Sequence, residues 1–247
     1  MNKVLTGKVA LVTGGSRGIG AASALALAQQ GADVAISYTA NGDKAAGVVA
    51  ALQAHGVRAA AFRADQGQPA QAAQLVADVV RAFGQLDILV ANAGAFEPGH
   101  SIDGDAAAFD RLRAANVDGA IATIRAAGKA IGAHGRIIAM ASVAVTRVGV
   151  PGLADYAASK AALVGYVKGV ARDLGPRGIT VNALGIGPVE TDMNPAVGDF
   201  ADFLTGTTAL GRYGQPHEIG AVVAFLASPA ASFITGCVVP VDGGVSA

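Results

Sequence analysis

The stretch Thr-Gly-Gly-Ser-Arg-Gly-Ile-Gly at residues 13–20 decides the fold, because it directly follows the apolar run at 9–12 and precedes a segment of helical spacing. Its glycines at 14, 18 and 20 would allow a tight turn, close approach of the backbone to a phosphate, and close packing of the next helix. That helix would point free N–H groups at a pyrophosphate. We predict a dinucleotide-binding loop, with an ordinary strand-to-helix turn as the alternative.

Seven short runs rich in Val, Ile and Ala alternate with longer segments of helical spacing. The predicted strands are 8–13, 33–38, 58–63, 86–91, 136–141, 179–184 and 237–242, and the predicted helices include 19–30, 70–83, 106–128, 157–174 and 217–227. Strands that are apolar on both faces and separated by helices predict a covered parallel sheet. We therefore expect an α/β fold over residues 1–247, a single-domain doubly wound parallel sheet of the Rossmann type with helices on both faces. Ligands of such sheets bind at the carboxyl ends of the strands.

The composition argues against several classes of protein. Basic and acidic residues are balanced at 18 each, unlike the basic surface of a nucleic-acid-binding protein. The single cysteine, Cys237, excludes an internal disulfide framework and suits a reducing compartment. We find no signal peptide pattern and no apolar stretch of membrane-spanning length. The histidines lack the spacing of a metal site; they are His55, His100, His134 and His217. We expect a cytoplasmic protein with no nucleic-acid, membrane or metal partner.

The end of the second predicted strand indicates which dinucleotide binds. An acidic residue there would hold the ribose 2′-hydroxyl of NAD, but residues 37–41 read Ser-Tyr-Thr-Ala-Asn and the first acid is Asp43. Arg17 in the glycine loop can reach the same corner, and its guanidinium suits a phosphate. NADP(H) is therefore the predicted cofactor. In the alternative, Arg17 is a solvated surface charge and Tyr38 a packing residue.

Candidate chemical groups follow the fifth strand. Ser142 ends that strand, and Tyr156 and Lys160 are four residues apart, on one face of the next helix. An ammonium near a phenol stabilises the phenolate, so this pair could transfer a proton at neutral pH. Ser142 could hydrogen-bond a carbonyl oxygen while hydride reaches the carbon. The alternative is a packed tyrosine beside a solvated lysine.

These motifs resemble those of the short-chain dehydrogenase/reductase family over nearly the whole chain. The matching pieces are residues 13–20, Asp65, Asn-Ala-Gly at 92–94, Asn-Val-Asp-Gly at 116–119, Ser142, Tyr156 to Lys160, 187–193 and the C-terminal stretch 235–244. The resemblance implies a catalytic tetrad of Asn116, Ser142, Tyr156 and Lys160. Tyr156 would be the general acid, Ser142 would orient the carbonyl, Lys160 would lower the Tyr156 pKa and bind the nicotinamide ribose, and Asn116 would hold a relay water.

The resemblance also implies a set of cofactor contacts. Asp65 would contact the adenine, Asn92 the adenosine ribose, and Val189 and Thr191 the nicotinamide carboxamide. The full expected set is Gly14, Ser16, Arg17, Gly18, Ile19, Gly20, Tyr38, Thr39, Asp65, Asn92, Ala93, Gly94, Tyr156, Lys160, Gly187, Val189 and Thr191. The alanine-rich helices at 106–128 and 157–174 would form a homotetramer.

Within the family the chain resembles 3-oxoacyl-carrier-protein reductases and related ketone reductases, with three departures. Ile186 occupies a position where proline is common. Ala133 occupies a position where carrier-dependent enzymes have a basic residue, although Arg177 is kept. Thirteen residues separate Ser142 from Tyr156, one more than usual. That longer spacing, together with Gly-Pro-Arg-Gly-Ile-Thr at 175–180 and Thr-Asp-Met-Asn-Pro-Ala at 191–196, is similar to that of a reductase subgroup that includes a cyclic-dinucleotide-linked biofilm-dispersal protein. We expect reduction of a small or medium hydrophobic ketone. The alternatives are a carrier-dependent reductase and a nucleotide-binding regulatory module.

The substrate side of the site is expected after Thr191. Residues 190–212, which include Phe200, Phe203 and Leu204, are predicted to form a substrate lid, with simple core packing as the alternative. The opposite wall is expected from Val145, Arg147, Val150 and Met193.

Overall fold

The computed structural model of the protein describes residues 3–97, 102 and 104–247. The strands in these ranges are β1 Val9–Val12, β2 Asp33–Tyr38, β3 Ala59–Arg63, β4 Ile88–Ala91, β5 Arg136–Met140, β6 Thr180–Ile186 and β7 Val238–Val241. The α-helices are α1 Gly18–Gln29, α2 Gly42–Gln53, α3 Pro69–Phe83, α4 Ala106–Arg113, α5 Ala120–Ala130, α6 Ala154–Leu174, α7 Asp199–Thr207 and α8 Pro216–Ala227.

The strands form one parallel sheet in the order β3-β2-β1-β4-β5-β6-β7. Each adjacent pair is parallel, and β1 lies between β2 and β4. The chain therefore reverses its direction of travel across the sheet when it passes from β3 to β4. This reversal leaves a crevice at the carboxyl ends of β1 and β4, where doubly wound sheets bind ligands. The predicted α/β fold and all seven predicted strands are confirmed.

Two layers of helices cover the sheet because its strands are apolar on both faces. Val9 and Leu11 of β1 pack with α3, α5 and α6, whereas Ala10 and Val12 pack with α1, α2 and α8. The central strands β1, β4, β5 and β6 are buried throughout, and the edge strands β3 and β7 are only partly buried. Burial of each large apolar side chain contributes about 1.5–3 kcal/mol, so the central strands are the most firmly held part of the sheet.

The predicted helix over 106–128 differs from the structure in its middle. A π-helical turn, Ala114–Gly119, separates α4 from α5. Gly119 lies so close to the loop after β3 that an added Cβ would stand 1.8 Å from the Gln66 carbonyl oxygen. The backbone contact at Gly119 therefore fixes where the widened turn rests, and Asn116 lies inside that turn. Two other helices, α2 and α7, were not among the predicted ones.

Three further features bear on the expected absences. No helix in the described ranges is long and apolar enough to cross a membrane. Within the same ranges, no group of three or more His, Cys, Asp and Glu side chains is placed to hold a metal ion, and His100 lies outside them. Cys237 is half-buried, its Sγ lies 3.2 Å from Asn182 Oδ1, and burial raises the thiol pKa. A thiol with a raised pKa is a poor nucleophile at neutral pH.

Candidate active site

A cavity of about 1340 Å³ opens at the carboxyl ends of the parallel strands. Every residue of the predicted cofactor set lines it: Gly14, Ser16, Arg17, Gly18, Ile19, Gly20, Tyr38, Thr39, Asp65, Asn92, Ala93, Gly94, Tyr156, Lys160, Gly187, Val189 and Thr191. Ser142 also lines the cavity. Asn116 is buried behind the wall, with 1% of its surface exposed. The fold thus gathers residues from six strand ends around one space.

The glycine loop has the geometry of a phosphate cradle. Gly18 has a positive φ of 53°, and it begins α1. An added Cβ at Gly20 would stand 2.3 Å from the Gly14 carbonyl oxygen, so this glycine lets α1 pack against its own loop. The N-cap residue Arg17 makes no side-chain hydrogen bond to the first turn of α1. The N–H groups of that turn therefore face the cavity without a side-chain cap, which suits a pyrophosphate.

Asn92 holds the glycine loop against the end of β4. Its Nδ2 donates to the carbonyl oxygens of Thr13 at 2.8 Å and Gly14 at 3.2 Å. The Thr13 hydroxyl in turn accepts from the main-chain N–H groups of Asn92 at 3.0 Å and Ala93 at 2.9 Å. The amide donors of Asn92 therefore position the loop, and the expected ribose contact stays a prediction. Sequence reasoning missed Thr13, whose fully buried hydroxyl links two strands 79 residues apart.

The corner of the cavity that is expected to hold the adenosine lies between the ends of β2 and β3. Asp65 Oδ1 accepts a hydrogen bond of 2.9 Å from the Gly67 N–H, which sets the turn that follows β3. Tyr38 lines the cavity and also packs against the apolar layer beneath α2, so it has the packing role of the alternative interpretation as well. Arg17 is half exposed, with Nη1 3.4 Å from Asp192 Oδ2, and Lys44 Nζ lies 3.0 Å from the same oxygen. Lys44 and Asp192 were not singled out from the sequence.

Ser142 and Tyr156 meet at the floor of the cavity. Ser142 follows β5 and caps a short 3-10 turn, where its Oγ accepts from the Ala144 N–H at 3.1 Å. Its side chain also hydrogen-bonds the Tyr156 side chain, which lowers the Tyr156 pKa, but burial dominates and raises that pKa above its ordinary value. The Phe96 ring packs edge-on against the Tyr156 ring at 5.0 Å. Tyr156 is therefore held protonated at neutral pH, as a general acid must be.

Lys160 lies one helical turn beyond Tyr156 and is buried. Its Nζ donates to the Met140 carbonyl oxygen at 2.9 Å and lies 5.9 Å from the centroid of the Tyr156 ring. Burial lowers the Lys160 pKa to about 8. The raised Tyr156 pKa differs from the expectation that Lys160 lowers it, because desolvation of the phenol outweighs the other influences on it. The low Lys160 pKa lets this amine gain and lose a proton near neutrality.

Asn116 braces the site from behind. Its Oδ1 accepts from the Ala95 N–H at 2.8 Å, and its Nδ2 donates to the Ala95 carbonyl and to Ser159 Oγ, both at 3.0 Å. Ser159 Oγ then donates to the Tyr156 carbonyl oxygen at 2.7 Å. The Asn116 side chain thus connects the loop after β4 to the start of α6. Its expected role in holding a water stays a prediction, and Ser159 is a brace that sequence reasoning missed.

The side of the cavity that is expected to hold the substrate is apolar. Phe200 and Phe203 of α7 stack with their ring centroids 6.5 Å apart, and both rings line the cavity while remaining about half exposed. The alternative prediction, that these two side chains are simply part of the core, is therefore wrong. Their function in a substrate lid stays a prediction. On the opposite wall, the cavity is lined by Arg147, Val150 and Met193 as expected; Val145 is not among the lining residues, and Val143, Ala144 and Leu153 are.

Comparison with known proteins shows the family. A family model described as "Enoyl-(Acyl carrier protein) reductase" matches residues 14–246. A short chain dehydrogenase from Burkholderia cenocepacia J2315, solved in complex with NADP, is 47% identical over 99% of this chain and 100% of its own, with a TM-score of 0.97. The chain belongs to the short-chain dehydrogenase/reductase family.

Two curated members of this family differ in what their names describe. The cyclic-di-GMP-binding biofilm dispersal mediator protein of Escherichia coli (strain K12) is 42% identical, and the match covers 98% of each chain. Versicolorin reductase 1 of Aspergillus parasiticus is 41% identical, with 98% of each chain covered. Family membership therefore shows the fold and the class of oxidoreductase, while the substrate has to be argued from this chain's own residues.

Proposed function

We propose that this protein is an NADP(H)-dependent reductase that reduces small or medium hydrophobic ketones and, in reverse, oxidises the corresponding alcohols. The observation that carries the proposal is the paired Ser142 and Tyr156 side chains on the floor of the cavity. The glycine loop and the rings of Phe200 and Phe203 line the same cavity as these two side chains. A cofactor and an apolar substrate would therefore meet at the two hydroxyl groups.

In this mechanism, NADPH would supply the hydride when bound. Ser142 and Tyr156 would both hydrogen-bond the ketone oxygen, so that negative charge developing on it is stabilised by fixed donors. Tyr156 would give its phenolic proton to that oxygen as the carbon accepts hydride. Lys160, whose pKa burial lowers to about 8, would help restore that proton. Hydride and proton together convert the carbonyl to an alcohol.

The preference for NADP over NAD rests on charge at the adenosine corner. Arg17 and Lys44 both line the cavity there, and residues 39–42 supply no acid to hold a ribose 2′-hydroxyl. The related Burkholderia cenocepacia structure is a complex with NADP, which supports the same cofactor here.

Reduction of a carrier-bound substrate is less well supported. Arg177, the basic residue kept at the expected docking surface, donates its guanidinium hydrogen bonds to the Gly128 and Ile131 carbonyl oxygens at the end of α5. It is therefore committed to capping a helix, and Ala133 adds no charge nearby. The homotetramer and the cytoplasmic location stay predictions.

The proposal is tested by following NADPH oxidation with aryl ketones, diketones, β-ketoesters and a thioester that mimics a carrier-bound substrate, with NADH in parallel. We expect turnover of free ketones with NADPH and much slower turnover with NADH. Turnover of the thioester alone would overturn the free-ketone assignment. NADPH binding without turnover on any member, together with calorimetric binding of a cyclic dinucleotide, would replace it with the regulatory module.

A further inference from the structure

One carboxylate joins two cations at the mouth of the cavity. Asp192 Oδ2 lies 3.0 Å from Lys44 Nζ and 3.4 Å from Arg17 Nη1. The side chains are 57% exposed for Asp192, 51% for Lys44 and 48% for Arg17, and all three residues line the cavity. Hydrogen bonds from Lys44 and then Arg17 lower the Asp192 pKa. The carboxylate is therefore ionised and leaves the trio with one net positive charge.

The two cations come from elements beside the expected position of the adenosine ribose. Lys44 is in the first turn of α2, directly after β2, and its N–H is capped by Asn41 Oδ1 at 2.9 Å. Arg17 comes from the glycine loop on the neighbouring strand. In doubly wound folds the group that reads the ribose 2′ position lies at this strand end. Arg63, the next basic residue in this region, donates to the Thr39 carbonyl oxygen at 3.1 Å and does not line the cavity.

Asp192 reaches this corner from the other side of the cavity. It follows Thr191, whose side chain lies against Gly18, and it precedes α7. The Lys44–Asp192 ion pair therefore spans the cavity mouth between residues 148 positions apart. Exposed ion pairs of this kind are weak, so a stronger anion can replace the carboxylate.

We propose that Lys44 is a second cation for the cofactor 2′-phosphate, beside Arg17, and that the Asp192 carboxylate occupies the phosphate position until NADP(H) displaces it. A 2′-phosphate carries up to two negative charges, so it balances Arg17 and Lys44 once Asp192 has moved away. With Asp192 still in place, the same corner would carry a net negative charge. This inference rests on the proposed NADP(H) function, and it adds Lys44, which lies outside the family motifs quoted above, to the residues that set the cofactor preference.

Calorimetry with two small probes tests the inference without any turnover. The probe 2′,5′-ADP carries the 2′-phosphate, and 5′-AMP lacks it. We expect Lys44→Gln to weaken 2′,5′-ADP binding about tenfold, because a charged hydrogen bond to the phosphate is lost, and Lys44→Arg to retain the affinity, because the charge is kept. Asp192→Asn should tighten 2′,5′-ADP binding severalfold, because the competing carboxylate is removed. Binding of 5′-AMP should not change in any of these variants.

Lys8→Gln is the matched control, because Lys8 is 46% exposed and paired with Asp87 at 3.1 Å, away from the cavity. It should leave the affinity for both probes unchanged. An unchanged 2′,5′-ADP affinity in Lys44→Gln would overturn the role of Lys44. Weaker 2′,5′-ADP binding in Asp192→Asn would show that Asp192 supports the cofactor and does not compete with it. If the wild-type protein bound neither 2′,5′-ADP nor 5′-AMP, that result would instead overturn the proposed cofactor itself.

Discussion

The floor of the cavity and its α7 wall are built in opposite ways. Ser142 and Lys160 on the floor and Asn116 behind it are buried, and each is tied to the main chain by hydrogen bonds. On the wall, Phe200 and Phe203 are half exposed and stack on one another. Proton transfer needs fixed geometry, whereas apolar recognition tolerates adjustment. If the proposed roles of the floor and the wall hold, we expect that the chemistry and the substrate preference can be altered separately.

Removal of the Tyr156 hydroxyl should have the largest effect on the floor. We expect Tyr156→Phe to lower kcat for ketone reduction about 10³-fold, because the general acid is lost. NADPH affinity, measured by calorimetry, should remain within a factor of about three, since the ring and its contact with Phe96 are kept. Near-normal turnover would contradict the catalytic assignment of Tyr156.

A substitution at Gly119 tests how strongly the fold depends on the close contact between this residue and Gln66. Gly119→Ala should lower the free energy of unfolding by about 3 kcal/mol, because the new Cβ would clash with the Gln66 carbonyl oxygen. Gly47 is the matched helical control, with no atom within 4 Å of an added Cβ. Gly47→Ala should raise the unfolding free energy by up to about 1 kcal/mol. Denaturant titration of both variants would measure the contrast, and equal midpoints would contradict the close contact.

The pH profile tests the proton supply. Burial lowers the Lys160 pKa to about 8. In NADPH-dependent ketone reduction, kcat/KM for NADPH should therefore fall as pH rises above about 8. The pKa of Lys160 is about 8 in the folded protein and 10.5 for an ordinary lysine, so the unfolded chain binds more protons than the folded protein between these two pH values. The unfolding free energy should therefore rise with pH across that window. Lys160→Met should abolish both trends, and their persistence would assign them to another group.

The smallest effect is expected on the wall. Phe203→Ala should raise KM for bulky aryl ketones about threefold to tenfold and leave kcat and the melting temperature nearly unchanged, because the ring is already 48% exposed. Phe225→Ala is the control, since Phe225 of α8 is 47% exposed and does not line the cavity. Equal changes in KM for the two variants would show that α7 has no specific part in substrate binding.

The strands could be predicted from local patterns, and the cavity lining could be predicted largely from motifs that resemble those of the family. Apolar runs mark the strands, and the polar residues that follow them all come together at one sheet edge. The ion pair between Lys44 and Asp192 has no local signature, because its partners are far apart in the chain. The π-helical turn was missed because the alanine-rich segments on either side of it suit one continuous helix. The extension of β6 to Ile186 also depends on pairing with Val241, a long-range contact.

The π-helical turn makes this part of the chain sensitive to the deletion of a single residue. A π turn holds one residue more than the α-helical turn it replaces, so a one-codon deletion within 114–119 could yield an unbroken helix. The flanking helices α4 and α5 would keep their faces, but the widened turn that places Asn116 between Ala95 and Ser159 would be lost. The glycine loop would be untouched. A single reading-frame-preserving deletion is therefore expected to remove the Asn116 brace behind the catalytic groups and to leave the nucleotide-facing loop in place.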